Sequence, residues 1–155
     1  MHLTADTLGL TSGPVAISAG SAGPDLMPHF VRAWAVRADP GQSRMTVVFP
    51  RNLALPMLSH LAPGSWIAVS VTNLTNFQSR QFKGQVSLLR DPDAMERELM
   101  AVTQKESGDM IGQYFGPGAG QGWKNYVSDP AVAVEFVVQE AYDQTPGKKA
   151  GEKLA

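Results

Sequence analysis

The segment FQSRQFKGQV, residues 77–86, constrains the fold more than any other part of the chain. Taken every second residue, Phe82, Gly84, Val86 and Leu88 form one row, and Ser79, Gln81, Lys83, Gln85 and Ser87 form the other. Such alternation marks a strand with one apolar and one polar face. A glycine inside a strand weakens it, so Gly84 implies a bulge or the close approach of another backbone. The polar row faces either water or a ligand.

Five further stretches read as strands: GPVAISAG (13–20), HFVRAWAVR (29–37), RMTVVFP (44–50), SWIAVSV (65–71) and AVAVEFVVQEAY (131–142). The turn ADPGQS (38–43) joins the second and third as a hairpin, favoured by Pro40 and Gly41. SWIAVSV is apolar on both faces, which predicts a central strand. In the last strand Val132, Val134, Phe136 and Val138 share a side. Short helices are expected over LTADTLGL (3–10), with Thr4 as cap, and over RNLALPMLSHL (51–61), kinked or restarted at Pro56.

The clearest helix is DPDAMERELMAVTQKE (91–106). Asp91 is placed to cap it, Pro92 suits its first turn, and Met95, Leu99 and Val102 share a face. Its acidic residues Asp91, Asp93, Glu96 and Glu98 read as a solvated face. SGDMIGQYFGPGAGQGW (107–123) reads as an irregular, glycine-rich loop.

The whole is a mainly β (α+β) chain, a single domain over residues 1–155 with no repeat or linker and a frayed C-terminal segment of about eight residues. Roughly six hairpin-connected strands can remove their edges by curling into a small barrel. Such a barrel has room inside only for side chains. A ligand must then lie on its outer wall, in a groove, or between subunits.

Composition narrows the function. Charged residues make up 17% and the net charge is −1, without the basic excess of a nucleic-acid binder. There is no cysteine, which excludes thiol catalysis, disulfides and cysteine-bound metals. The three histidines, His2, His29 and His60, lie far apart in sequence, so no metal site is expected. No run approaches the ~20 apolar residues of a membrane span, and no secretory signal is evident, so the expected location is cytoplasmic.

Candidate chemistry is sparse. The run GPGAGQG (116–122) lacks the Lys-Ser/Thr of a phosphate loop, although Tyr114, Phe115 and Trp123 around it offer planar faces. Arg32 and Arg37 are five residues apart on one strand, which points them to opposite faces. Arg51 and Asn52 follow Pro50 at a helix start, where free N–H groups and a guanidinium suit a phosphate. There is no nucleophile elbow, and no carboxylate pair stands out.

These pieces together resemble the flavin-binding split-barrel superfamily, the pyridoxamine 5′-phosphate oxidase-like proteins, from about residue 14 onward. SRQFKGQV is similar to the family's Arg-Gln strand, PHFVRAWAVR to its arginine followed five residues later by lysine, and VVFPRNLALPML to its phosphate-holding segment. The close EAYDQTPGKKAG also resembles small members. The resemblance implies a six-stranded antiparallel split β-barrel with two or three short helices. It further implies flavin mononucleotide (FMN) at a homodimer interface, and a pyridine nucleotide or small redox substrate as partner.

Carried over residue by residue, the resemblance assigns cofactor contacts to Arg32, Arg37, Phe49, Pro50, Arg51, Asn52, Arg80, Gln81, Lys83 and Trp123. The chain departs from the family where PRNLAL replaces a Ser/Thr-rich stretch with Arg-Lys. It also lacks the arginine-leucine-histidine ending of the true oxidase, so oxidation of a B6 phosphate is not implied. The first reading is an FMN-dependent oxidoreductase. The alternative is a non-catalytic split-barrel module that binds haem, another cofactor or none, with His29 and His60 as the haem ligands available besides His2.

Overall fold

The computed structural model describes residues 3–4, 9–39 and 41–154. The helix expected over 3–10 and Pro40 of the hairpin turn lie largely outside them. Seven strands, β1 (Val15–Ala22), β2 (Pro28–Ala33), β3 (Ala35–Ala38), β4 (Arg44–Pro50), β5 (Trp66–Asn73), β6 (Ser79–Arg90) and β7 (Ala131–Asp143), form one antiparallel sheet in the order β2-β1-β5-β6-β7-β4-β3. β5 is an interior strand as expected, but only one of its faces is buried: Ile67, Val69 and Val71 enter the core, whereas Trp66 is exposed and Ala68 and Ser70 are half-buried on the outer side.

The two edge strands are consecutive in the chain. Only Trp34 separates them, and its N–H donates to the Val48 carbonyl at 2.8 Å. The sheet therefore curls until its edges are the two halves of one bent strand, which removes the exposed edge. The run expected as a single strand over 29–37 is thus two, and six expected strands become seven.

The bend also changes which way side chains point. Val31, Ala33, Val36 and Ala38 all enter the barrel core, whereas Trp34 and Ala35 both join a second cluster outside it. Two successive outward residues shift the alternation by one. Arg32 and Arg37, expected on opposite faces, therefore stand on the same outer face.

β6 keeps the expected inner row as far as Phe82, Gly84 and Val86, all buried. Its register against β7 shifts between Lys83 and Gly84, where β7 carries the extra Gln139. A side chain at Gly84 would overlap the Val137 carbonyl, so the glycine answers a bulge within the sheet. A second shift between Val86 and Leu88 turns Leu88 outward, 45% exposed, and Leu89 takes its place against the core.

Three helices are described: α1 (Leu55–Leu58), α2 (Ala94–Phe115) and α3 (Pro117–Lys124). α1 is a single turn that inserts Met57, followed by Leu61, into the barrel core. α2 starts two residues later than expected. Its cap is Asp93, whose carboxylate accepts the Glu96 N–H at 2.8 Å, while Glu96 accepts the Asp93 N–H at 3.0 Å. This reciprocal pair satisfies two of the helix's orphan donors.

The buried face of α2 is Glu96, Met100, Thr103, Ser107 and Gly108. Of the expected apolar stripe, Leu99 is partly buried, while Met95 (65%) and Val102 (43%) are exposed. The glycine-rich stretch expected as a loop instead extends α2 and builds α3, with Gly116 at φ +93° as the break between them. The glycines suit this packing: a Cβ on Gly120 would lie 2.6 Å from the Gly108 carbonyl and 2.8 Å from Gly112 Cα. Tertiary packing outweighs the poor helix propensity of glycine here. No helix among the described residues is long and apolar enough to cross a membrane.

Glu96 belongs to no solvated face, as its side chain is 1% exposed. Arg90 grips it with two hydrogen bonds of 2.7 Å and also bonds Glu135 at 2.8 Å, while Arg37 lies 3.5 Å away. The Arg90 bonds hold the Glu96 carboxyl below its ordinary range, against the opposing effect of burial. A group depressed in the folded state stabilises above its unfolded pKa, and that stability is lost as pH falls through the folded value.

Glu96→Gln keeps a cap acceptor but leaves Arg37 without its carboxylate and Arg90 with Glu135 alone. It should cost about 3 kcal/mol at neutral pH, read from urea midpoints, and should flatten the acid side of the stability profile. Equal loss at all pH values would contradict the network. Gly84→Ala should cost about 2 kcal/mol or more through forced overlap in the β7 bulge, and an unchanged midpoint would contradict that packing.

Candidate functional site

The outer surface of the barrel has two halves. One, over β3, β4 and the start of β7, is covered by α2 and α3, with Trp34, Ala35, Val48, Ala131 and Ala133 packed against Met100, Leu99 and Trp123. The other, over β5, β6 and most of β2 and β1, is free of helix except where Ser107 of α2 meets the start of β1 and Trp123 of α3 meets Arg32 on β2, and Gln81 and Lys83 stand there.

Strand pairing sets its chemistry. Ser18 pairs with Arg32 and with Ser70, Ser70 pairs with Gln81, and Gln81 pairs with Tyr142. These outward residues form one polar rung, with Arg32 and Gln81 three strand spacings apart, roughly 14 Å. The Gln81 amide donates to Ser70 Oγ at 3.4 Å, a weak bond that leaves it available for exchange. The adjoining rung is Phe30, Gly20, Ala68, Lys83 and Glu140. A groove of about 380 Å³ lies over it, lined among others by Phe30, Gly20, Trp66, Ala68 and Lys83.

The floor of this wall is Ser18, Gly20, Ala68 and Ser70. Sequence reasoning missed all four, as well as Tyr142. The signal was present as small residues on the outward positions of two adjacent strands. Lys83 sits 4.7 Å over the Tyr142 ring, and Tyr142 donates to Glu140 at 2.9 Å. That bond raises the Tyr142 pKa and lowers that of Glu140.

At the other end of the polar rung, the Arg32 guanidinium stacks 4.5 Å over Trp123. Trp123 meets Trp34 edge-on at 5.4 Å, and Tyr126 lies 5.2 Å from Trp34. Burial lowers the Arg32 pKa, and it has no carboxylate partner among the described residues. The Nε1 atoms of Trp34 and Trp123 are buried without hydrogen-bond partners among those residues. Arg32 thus stands over an aromatic face, with Tyr126 near it, and its guanidinium is the charged group here that suits an anion.

The remaining predicted contacts separate. Arg37 is turned to Glu96. Arg51 pairs with Asp91 at 2.9 Å, and its N–H donates to the Pro130 carbonyl. Phe49 is fully buried in the barrel core. Pro50 and Asn52 line a groove of about 330 Å³ with Leu53, Tyr126, Val127 and Pro130. Arg80 lies on the inner row at the barrel end, bound to Asp143 at 3.0 Å and to Thr145 at 3.2 Å. The structure therefore joins Arg32 to Trp123 and sets Gln81 and Lys83 across the same wall.

No known family model matches the sequence, and no curated protein matches it. Solved structures do match. HupZ of Group A Streptococcus superposes with a TM-score of 0.55 at 11% identity, over 96% of this chain and 98% of that one. A Clostridium acetobutylicum protein related to general stress protein 26, of the pyridoxinephosphate oxidase family, gives 0.51 at 13% identity, over 96% and 91%. General stress protein 26 of Bacillus anthracis gives 0.50 at 11% identity, over 92% and 94%. Likeness at such identities is one of backbone and topology: the chain has the split-barrel fold of the pyridoxamine 5′-phosphate oxidase-like proteins.

Proposed function

We propose that the uncovered wall of the barrel binds FMN and that the protein is a cytoplasmic, homodimeric FMN-dependent oxidoreductase. The observation that carries this reading is the polar rung from Arg32 through Ser18 and Ser70 to Gln81. It puts a cation with no carboxylate partner among the described residues at one end of a small-residue floor and an amide at the other. A ligand with an anionic tail and a flat, hydrogen-bonding ring matches that order.

The fit rests on this chain's own groups. Arg32, which has no carboxylate partner among the described residues, would hold the phosphate. Arg37 and Arg51 already face Glu96 and Asp91, so the anion site depends on one arginine. Ser18, Gly20, Ala68 and Ser70 leave room for a ring against the wall, and Gln81 would bond its polar edge. Lys83 would add positive charge beside it. Bound there, a flavin supplies the electron transfer, and the protein supplies orientation and electrostatics. A pyridine nucleotide or small redox substrate is the electron partner under this reading.

The homodimer belongs to the same proposal. Phe30 (69%), Met27 (58%), Leu26 (82%) and Trp66 (48%) are exposed beside the small-residue floor. Exposed apolar groups grouped this way mark an interaction surface. A second copy there would shield a ring from water. The alternative reading, a non-catalytic module with His29 and His60 as haem ligands, finds their ring centroids 5.4 Å apart.

The protein should bind FMN near one equivalent per chain. Excess FMN at about 100 times Kd should add about 2.7 kcal/mol of stability, seen as a thermal shift of several degrees. Arg32→Ala should weaken FMN at least tenfold, on the order of 1.4 kcal/mol, and leave riboflavin unchanged because it lacks the phosphate. Gln81→Ala should weaken both. A protein that stays colourless and shows no shift with either compound would sink the proposal.

A further inference from the structure

Beyond Asp143 the chain turns back and adds a short strap to β7. On its β4 side, β7 is paired only as far as Val137 and Val138. The strap takes up the edge that follows. Gly151 N–H donates to the Asp143 carbonyl at 2.7 Å, Asp143 N–H to the Glu152 carbonyl at 2.9 Å, and Leu154 N–H to the Ala141 carbonyl at 2.7 Å. From Pro146 to Leu154 no residue is buried. Backbone bonds and the Lys153–Glu140 ion pair, 3.3 Å long, hold the strap in place. A segment that buries no apolar group opens locally at low cost.

Lys153 stands opposite Tyr142 in this pairing, so its side chain joins the outer wall at the end of the polar rung. Both oxygens of Glu140 are engaged there: Oε2 accepts the Tyr142 hydroxyl at 2.9 Å, and Oε1 accepts the Lys153 ammonium. Lys83 is the direct cross-strand partner of Glu140, a position from which opposite charges ordinarily pair. It acts on that carboxylate only through its field. Its ammonium lies instead 4.7 Å over the Tyr142 ring, and the residue lines the groove of the wall. Lys83 and Lys153 thus compete for one carboxylate oxygen, and the strap decides which of them has it.

We propose that Lys153 is a positioning residue for the ligand wall: by occupying Glu140 it keeps the Lys83 ammonium free for the ligand. The inference rests on the flavin reading for the identity of that ligand. With the strap paired, Lys83 presents its charge to the groove. With the strap released, Glu140 Oε1 is open, and Lys83 crosses to it and leaves the groove. The coupling is reciprocal, so a ligand that draws Lys83 into the groove also favours the paired strap. The sequence gives no sign of this, because Lys83, Glu140 and Lys153 meet only through strand register and the reversal after β7.

Nuclear magnetic resonance of the full chain reads the Lys83 position without flavin. Its ε-methylene protons, assigned with Lys83→Arg, lie in the ring current of Tyr142. They should resonate upfield of the other lysines in the native protein and in Lys153→Arg, and return to the ordinary lysine position in Lys153→Ala. In a Glu140→Gln background Lys153→Ala should change nothing, because no carboxylate remains to take Lys83. FMN titration reads the use of that position: Lys153→Ala and Lys83→Met should each weaken binding roughly twofold to fivefold, and the double variant no further. An upfield shift absent from the native protein, one that survives Lys153→Ala, or one lost equally in the Glu140→Gln background would overturn the positioning. So would unchanged FMN affinity in Lys153→Ala. A native protein that binds no FMN overturns the flavin reading, and the Lys83 resonances then decide the strap contact by themselves.

Discussion

The grip of Arg90 on Glu96 is the contact on which the rest of the outer architecture depends. Glu96 has two roles in one position. Its carboxylate closes the capping box that starts α2, and it also anchors that start to the sheet through Arg90 and Arg37. The rest of the helix is then held at set points, with Ser107 donating to the Val15 carbonyl and Tyr114 to the Leu74 carbonyl, each at 2.7 Å. The glycines of α2 let α3 pack directly on it, and a Lys124–Asp109 ion pair fastens the two. α3 in turn carries Trp123 beneath Arg32. A buried ion pair is weak evidence for stability by itself. Its contribution here is positional, because it decides which face of α2 meets the barrel.

This explains how much was legible in advance. The strands could be read because period-two alternation is a local property, and β6 and β7 show it over most of their length. Gly84 could be read as a bulge or a close approach for the same reason. The helix face could not be read, because Met95, Leu99 and Val102 make a plausible apolar stripe while the residue that decides the docking is a glutamate. An acidic side chain near a helix start looks solvated until its arginine, six residues earlier on a strand, is known to fold back over it. The glycine-rich stretch failed differently. Propensity argued against a helix, but close packing against another helix needs residues without side chains.

The candidate site divides along the same line. Gln81 and Lys83 lie on the outward row of a strand whose alternation was plain, so their placement on the wall followed from the pattern. Arg32 and Arg37 did not follow, because one non-alternating step at Trp34–Ala35 carries both to the same face. That step is also what closes the barrel. The feature that defeated the parity argument is therefore the one that removes the sheet's open edge.

Once both arginines share a face, their neighbours give them different roles. Arg37 stands near a buried carboxylate and balances charge beneath α2. Arg32 has an indole plane beneath it, Tyr126 nearby and no carboxylate partner among the described residues, and burial disfavours its charge. The Trp123 face and Tyr126 are the partners folding gives it. A nearby acidic residue would relieve it, as Asp91 does for Arg51 and Asp143 for Arg80. Those two arginines have their counter-ions within the chain. Arg32, at the head of a rung of small polar residues, is the cation that the negative end of the proposed ligand would pair.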